Sequence, residues 1–103
     1  MIAVDTSALI AIVLNQPEAA ACMRRNIAEE ISSLIEGLGF EIVSVTPASA
    51  RRVFQAYRQW GKGVHPAGLN LGDCFAYEVA KTHGCRLLYV GGDFAKTDIA
   101  SVF

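Results

Sequence analysis

Along the chain, short apolar runs alternate with segments whose apolar residues recur every three or four positions, so strands and helices are predicted in turn. Residues 1–4 read as a short buried strand, and Thr6 or Ser7 stands where it can cap a helix beginning near Ala8. Residues 8–14 are apolar nearly all round, as a helix packed under a sheet requires, and Pro17 opens a second helical stretch over 18–23. Between 26 and 38, Ile27, Ile31, Leu34, Ile35 and Leu38 form a stripe while Glu29, Glu30 and Ser33 fall on other faces, with Gly37 or Gly39 to end the helix. Residues 40–45 predict a strand. Thr46 and Pro47 then start a helix running through Ala50, Val53, Phe54 and Tyr57. Residues 60–68, rich in glycine and proline, predict a loop. A last long helix over about 71–83 carries Phe75, Ala76, Val79 and Ala80 inward and ends at Gly84, before a final strand over 86–90. Strands alternating with helices, without hairpin signals, predict a parallel α/β sheet in a single domain spanning 1–103.

Composition narrows the class. Apolar residues make up 52% of the chain and charged residues 18%, which fits a packed core and excludes a disordered segment. A formal net charge of −1 gives no bulk attraction for nucleic acid, so any such contact rests on local basic patches. Cys22, Cys74 and Cys85 are odd in number and far apart, which indicates reduced thiols rather than a disulfide framework or a thiolate zinc site. The apolar run at 8–14 is shorter than the roughly 20 residues that cross a bilayer, and no basic n-region precedes it. A cytoplasmic protein without membrane contact is expected.

The candidate chemistry is carboxylate chemistry. Asp5 ends the first predicted strand, Asp93 follows the last one after two glycines, and Asp73 opens the long helix between them. In open α/β folds the ligand crevice lies past the carboxyl ends of the strands, so neighbouring strands would bring these three acids together. Clustered carboxylates resist joint ionisation unless a cation neutralises them. Oxygen-only ligands favour Mg2+ or Mn2+, and an ion bridging a phosphate serves phosphodiester hydrolysis. Plainer roles compete at every position. Asp5 can accept a hydrogen bond at the start of the next helix, Asp73 can complete a cap with Asn70, and Asp93 and Asp98 lie in turn-forming sequence. Arg58, Lys62 and His65, interleaved with Tyr57 and Trp60, can contact a phosphate backbone and stack on bases, or form a solvated helix end and loop.

Residues 1–9, 65–77 and 87–99 resemble, in order, the three signature blocks of PIN-domain ribonucleases, and most nearly the VapC toxins of bacterial toxin–antitoxin pairs. The resemblance implies a PIN-like α/β domain, with a central parallel sheet flanked by helices on both sides. It implies a Mg2+- or Mn2+-dependent endoribonuclease toxin that cuts structured RNA such as transfer RNA, is inhibited by a VapB-type antitoxin and pairs with a second copy of itself. By position, Asp5, Asp73 and Asp93 match the family's catalytic, metal-binding aspartates. Asp98 matches a further acid at the metal, and Thr6 and Ser7 match hydroxyls that orient the carboxylates.

The chain departs from that pattern at one place. The family has a further strand and helix, with a glutamate, ahead of the segment resembling residues 26–38, and here Cys22 and Met23 run almost directly into Arg24 and Arg25. One strand–helix unit is missing, which predicts a hole in the sheet and unpaired backbone groups. The intact state of the other blocks favours a segment left out over a true deletion. Two rival readings follow. One is a catalytically impaired toxin remnant that binds antitoxin and oligomerises. The other is a different aspartate-based α/β protein, such as a phospho-aspartate phosphatase or receiver domain, but Asp5-Thr6-Ser7 lacks the phosphatase's second aspartate and the last strand offers no receiver lysine.

Overall fold

The computed structural model describes residues 2–5, 7 and 27–102. The helices expected over 8–14 and 18–23, and the Thr6 hydroxyl, lie outside the described residues. Strands β1 (Ile2–Val4) and β2 (Arg86–Leu88) pair in parallel, with Ile2 opposite Arg86, Ala3 opposite Leu87 and Val4 opposite Leu88. The far edge of β2 is also engaged. Leu87 N–H donates to the Ala100 carbonyl at 2.9 Å, and Val102 N–H donates to the Leu87 carbonyl at 3.3 Å. The other edge of β1 receives no hydrogen bond among the described residues.

Among the described residues, three helices lie between the strands in sequence: α1 (Ile27–Leu38), α2 (Pro47–Trp60) and α3 (Leu71–Thr82). Local sequence sets their ends. Gly39, at φ 69°, lets Phe40 N–H reach the Ile35 carbonyl at 3.1 Å and Gly39 N–H the Glu36 carbonyl at 3.3 Å, the paired bonds of a Schellman stop. At the start of α2, Thr46 Oγ1 accepts from Ser49 N–H at 3.1 Å and Ser49 Oγ accepts from Thr46 N–H at 2.7 Å, with Pro47 in the first turn as predicted.

Small side chains let α2 and α3 approach closely. Val53 and Ala56 of α2 are buried with Cys74, Tyr77 and Ala80 of α3, and Ala3, Leu87, Ala67, Leu69 and Phe94 complete the core. Glu78 is buried in this packing, where its Oε1 accepts from Arg52 Nε–H at 2.9 Å and from Thr82 Oγ1–H at 2.9 Å. Removing the cation leaves a buried carboxylate short of a donor, so Arg52→Ala is expected to destabilise by about 1–3 kcal/mol. Urea melts at neutral pH read this directly, and Glu78→Gln in the same background should recover part of the loss. A variant that melts with the wild type would show that the pair contributes nothing.

Two expectations fail for one reason. Residues 40–45 are not a strand, since among the described residues they pair with nothing beyond Phe40's bond to α1, and Ile42 is 72% exposed. Phe75, expected inward, is 39% exposed. Both line an open cavity of about 460 Å3 that lies between β1 and residues 40–45, with Phe75, Ala76 and Val79 of α3 in its lining. No strand among the described residues fills that space, so among them neither backbone edge is paired and Phe75 stays partly open to solvent. Leu38, expected on the apolar stripe of α1, is also exposed. The final strand is shorter than predicted, ending at Leu88.

Candidate metal centre

The sheet sets up the acidic rim. Asp5 N–H donates to the Leu88 carbonyl at 2.9 Å, carrying the β1–β2 ladder one residue past β1 and leaving the Asp5 side chain buried at its end. Asp5 Oδ2 accepts from Ser7 N–H at 3.0 Å and from Ser7 Oγ–H at 2.5 Å. That same hydroxyl accepts from Val90 N–H at 3.0 Å, so one side chain joins the ends of both strands. Beyond Val90, Gly91 at φ 106° turns the chain in a conformation that side chains disfavour, and Asp93 follows at the start of the 3-10 turn Phe94–Lys96. Buried Phe94, against Tyr89 at a ring separation of 5.0 Å, anchors that turn, while the exposed Asp93 side chain makes no capping bond.

Asp73 enters from the third direction. At the first turn of α3, its N–H donates to Asn70 Oδ1 at 2.7 Å and its Oδ2 accepts from Asn70 N–H at 3.0 Å, a reciprocal cap. Burial holds its carboxyl above the usual aspartate range; the Asn70 N–H works against that shift, and the negative charges of Asp5 and Asp93 add to it. Asp5 and Asp93 therefore lie near enough for their charges to act on Asp73. Among the described residues, however, no three His, Cys, Asp or Glu side chains stand close enough together to hold an ion. The donor set, carboxylate oxygens without nitrogen or sulfur, suits a hard dication. Its spacing is more open than a closed coordination sphere.

Asp98 is engaged elsewhere. Its Oδ1 accepts from Tyr77 Oη–H at 2.6 Å and its Oδ2 from Lys81 Nζ at 3.0 Å, while Tyr77 Oη accepts from Trp60 Nε1–H at 3.0 Å. The Tyr77 bond, aided by Lys81, holds the Asp98 carboxyl below its usual range. Burial first, and then the bond to Asp98, push the Tyr77 phenol up to about 12. This run ties the end of α2, the middle of α3 and the C-terminal segment together, whereas sequence alone put Asp98 at the metal. Tyr77 and Trp60 as its partners were not anticipated. The signal available was Tyr77 lying one helical turn after Asp73 on α3.

The basic residues are placed by a closed loop. Lys62 N–H donates to the Leu69 carbonyl and Leu69 N–H to the Trp60 carbonyl, both at 3.0 Å, so exposed Lys62 sits beside the chain that enters α3 at Asn70. Arg58 is exposed in the last turn of α2. His65 is half-buried, its Nδ1 accepts from Ala67 N–H at 3.0 Å, and its ring meets Trp60 edge-on at 4.7 Å. That imidazole therefore has a structural task of its own.

Parallel strands with helices between them, and acids past the strand ends, define an α/β domain whose acidic side chains stand where such folds keep their ligand crevice. The sequence profile of the PIN domain family matches residues 24–100, and this chain belongs to that family. Its relatives include the VapC ribonuclease Mb2780c of Mycobacterium bovis, 38% identical over 124 aligned positions that cover 93% of this chain and 95% of the relative. Ribonuclease VapC30 of Mycobacterium tuberculosis is 34% identical over 126 positions, covering 96% of each chain. VapC ribonuclease R02377 of Rhizobium meliloti is 43% identical over 72 positions, covering 69% of this chain and 51% of the relative.

These alignments measure the shortfall. Since 93% of 103 residues is about 96, about 28 of the 124 positions shared with the Mycobacterium bovis protein fall opposite gaps in this chain. That is room for a strand and a helix. The sequence runs continuously through Cys22, Met23 and Arg24, where the family's further strand and helix are expected. Among the described residues, no helix is long and apolar enough to cross a membrane.

Proposed function

We propose that this chain is a Mg2+- or Mn2+-dependent endoribonuclease toxin that cuts structured RNA such as transfer RNA. In this reading it acts in the cytoplasm, is inhibited by a cognate VapB-type antitoxin and pairs with a second copy of itself. One observation carries the catalytic part: Asp5 past the end of β1 and Asp93 in the turn after β2 lie near enough to Asp73, in the first turn of α3, for their charges to raise its carboxyl. The relatives' names, ribonucleases of the VapC type, support the same class of reaction.

Asp5, Asp73 and Asp93 would hold the ion, which when bound supplies a polarised phosphate and a more acidic water. The remaining work falls to residues of the chain. Ser7 fixes the orientation of Asp5, and the Asn70 backbone fixes that of Asp73. Lys62, beside the chain that enters α3, and Arg58, in the last turn of α2, offer positive charge for backbone phosphates, and Trp60 with His65 offers ring surface. Asp98 is a positioning residue through Tyr77 rather than a ligand.

A catalytically impaired remnant that still binds antitoxin is the second reading. It is favoured by the missing positions and by the open spacing of the acids among the described residues. Incubation of transfer RNA with the purified chain and Mn2+ separates the two. Discrete fragments that vanish with chelator are expected, together with a rise in melting temperature on adding Mn2+. Intact RNA alongside undiminished antitoxin binding would establish the remnant reading.

A further inference from the structure

The cavity beside β1 has an uncommon pair of walls. One is the outer edge of β1, and the other is the stretch 40–45; among the described residues the β1 edge and the backbone of 41–45 make no hydrogen bond across it. Apolar side chains face solvent around it, with Ile42 72%, Val45 61% and Ile2 54% exposed. Unpaired edges flanked by apolar side chains recruit a further strand. The second wall has the composition such a strand needs, since Phe40, Ile42, Val43 and Val45 are apolar and Glu41 is its single charge.

We infer that two copies of this chain exchange residues 40–45, each copy inserting the segment into the cavity beside the other's β1. The inference rests on the self-association proposed above and specifies its surface. A two-fold axis between two such segments makes each one both the wall of its own cavity and the filler of the other. The strand order then runs β2, β1, the second copy's 40–45, the first copy's 40–45, then the second copy's β1 and β2. No edge beside either β1 is left unpaired. An isologous contact of this kind closes at two copies, and exchange of an identical element is a low-cost route to a dimer. The axis requires the two 40–45 segments to run antiparallel. A net charge of −1 per chain opposes the pairing little. The positions missing relative to the Mycobacterium bovis protein are enough in number for a strand and a helix.

Light scattering behind size exclusion tests the inference, with Val43→Pro as the probe. Val43 is 43% exposed and its backbone is unpaired among the described residues, so proline there spares the single-chain fold but removes a donor the exchanged strand needs. The wild type is expected at twice the chain mass. Val43→Pro should raise the dissociation constant at least about tenfold with an unchanged helical circular dichroism spectrum. A second probe places single cysteines at 42, 43 and 44 in a Cys22→Ser, Cys85→Ser background. Under oxidation, covalent dimers should form at one or two of these positions and not at exposed Val64→Cys. A double-mass Val43→Pro without any 42–44 cross-link overturns the exchange and leaves self-association standing. A wild type at single-chain mass overturns both.

Discussion

Asp5→Asn and Asp73→Asn are each expected to lower Mn2+-dependent RNA cleavage at least about 100-fold, since each removes a charge that a hard dication needs and that the amide cannot replace. The chain should stay folded. Asparagine at 73 keeps an oxygen for Asn70 N–H, and asparagine at 5 keeps one for Ser7, so both local hydrogen-bond patterns survive. Asp73→Asn carries a second signature. Burial, with the charges of Asp5 and Asp93, raises the Asp73 carboxyl above the value it has in the unfolded chain, so the folded state holds its proton more tightly. Stability attributable to this group is therefore greatest at acid pH, falls as pH rises through the raised folded value, and stays reduced at neutral pH. Without metal at neutral pH, the asparagine variant should melt at or above the wild type, and the difference should close below the ordinary aspartate range. Added Mn2+ should raise the melting temperature of the wild type and leave that of the variant unchanged. Undiminished cleavage by both variants would reject the three-aspartate assignment, whatever the melting curves show.

How much of this was legible in sequence depended on whether a signal was local. Thr46 with Pro47, Gly39 after α1 and Asn70 with Asp73 are decided within four residues, and each forms the cap or stop that the pattern predicts. The strands entering Asp5 and leading toward Asp93 were also legible, because a short apolar run followed by an acid states its own geometry. Residues 40–45 read as a strand just as clearly, yet a strand is completed by neighbours. Their composition cannot reveal that the adjoining edge is out of reach. Phe75 fails with them, since inward on α3 means toward that same opening. The partners of Asp98 were hidden for a related reason. Its position among turn residues says nothing of Tyr77 and Lys81, which reach it from a helix turn 21 and 17 residues earlier in the chain. Ser7 is the instructive intermediate. Its bond to Asp5 is local and was anticipated, but its acceptance of Val90 N–H, 83 residues away, required the fold.

Leu87→Ala is expected to destabilise the domain by about 2–5 kcal/mol, the range for truncating a fully buried leucine. Leu87 has no exposed surface, sits in the middle of β2 opposite Ala3, and bonds through its backbone to Ala100 and Val102 on the other side. Ala3 is too small to move into the vacated space, so the cavity would persist rather than collapse. A small domain holds about 5–15 kcal/mol in total, and about 1 kcal/mol shifts its melting temperature by roughly 4–8 °C. The loss therefore brings the chain near its unfolding threshold at physiological temperature. The candidate centre should fail with it, because β2 carries the register that sets Asp5 and launches the turn to Asp93. Leu87→Met, which conserves volume, should cost less than about 1.5 kcal/mol. Phe54→Ala, at a side chain 60% exposed, should stay within about 0.5 kcal/mol of the wild type. Thermal melts of the three variants provide the test: if Leu87→Ala melts alongside Phe54→Ala, the β1–β2 pair does not anchor the core.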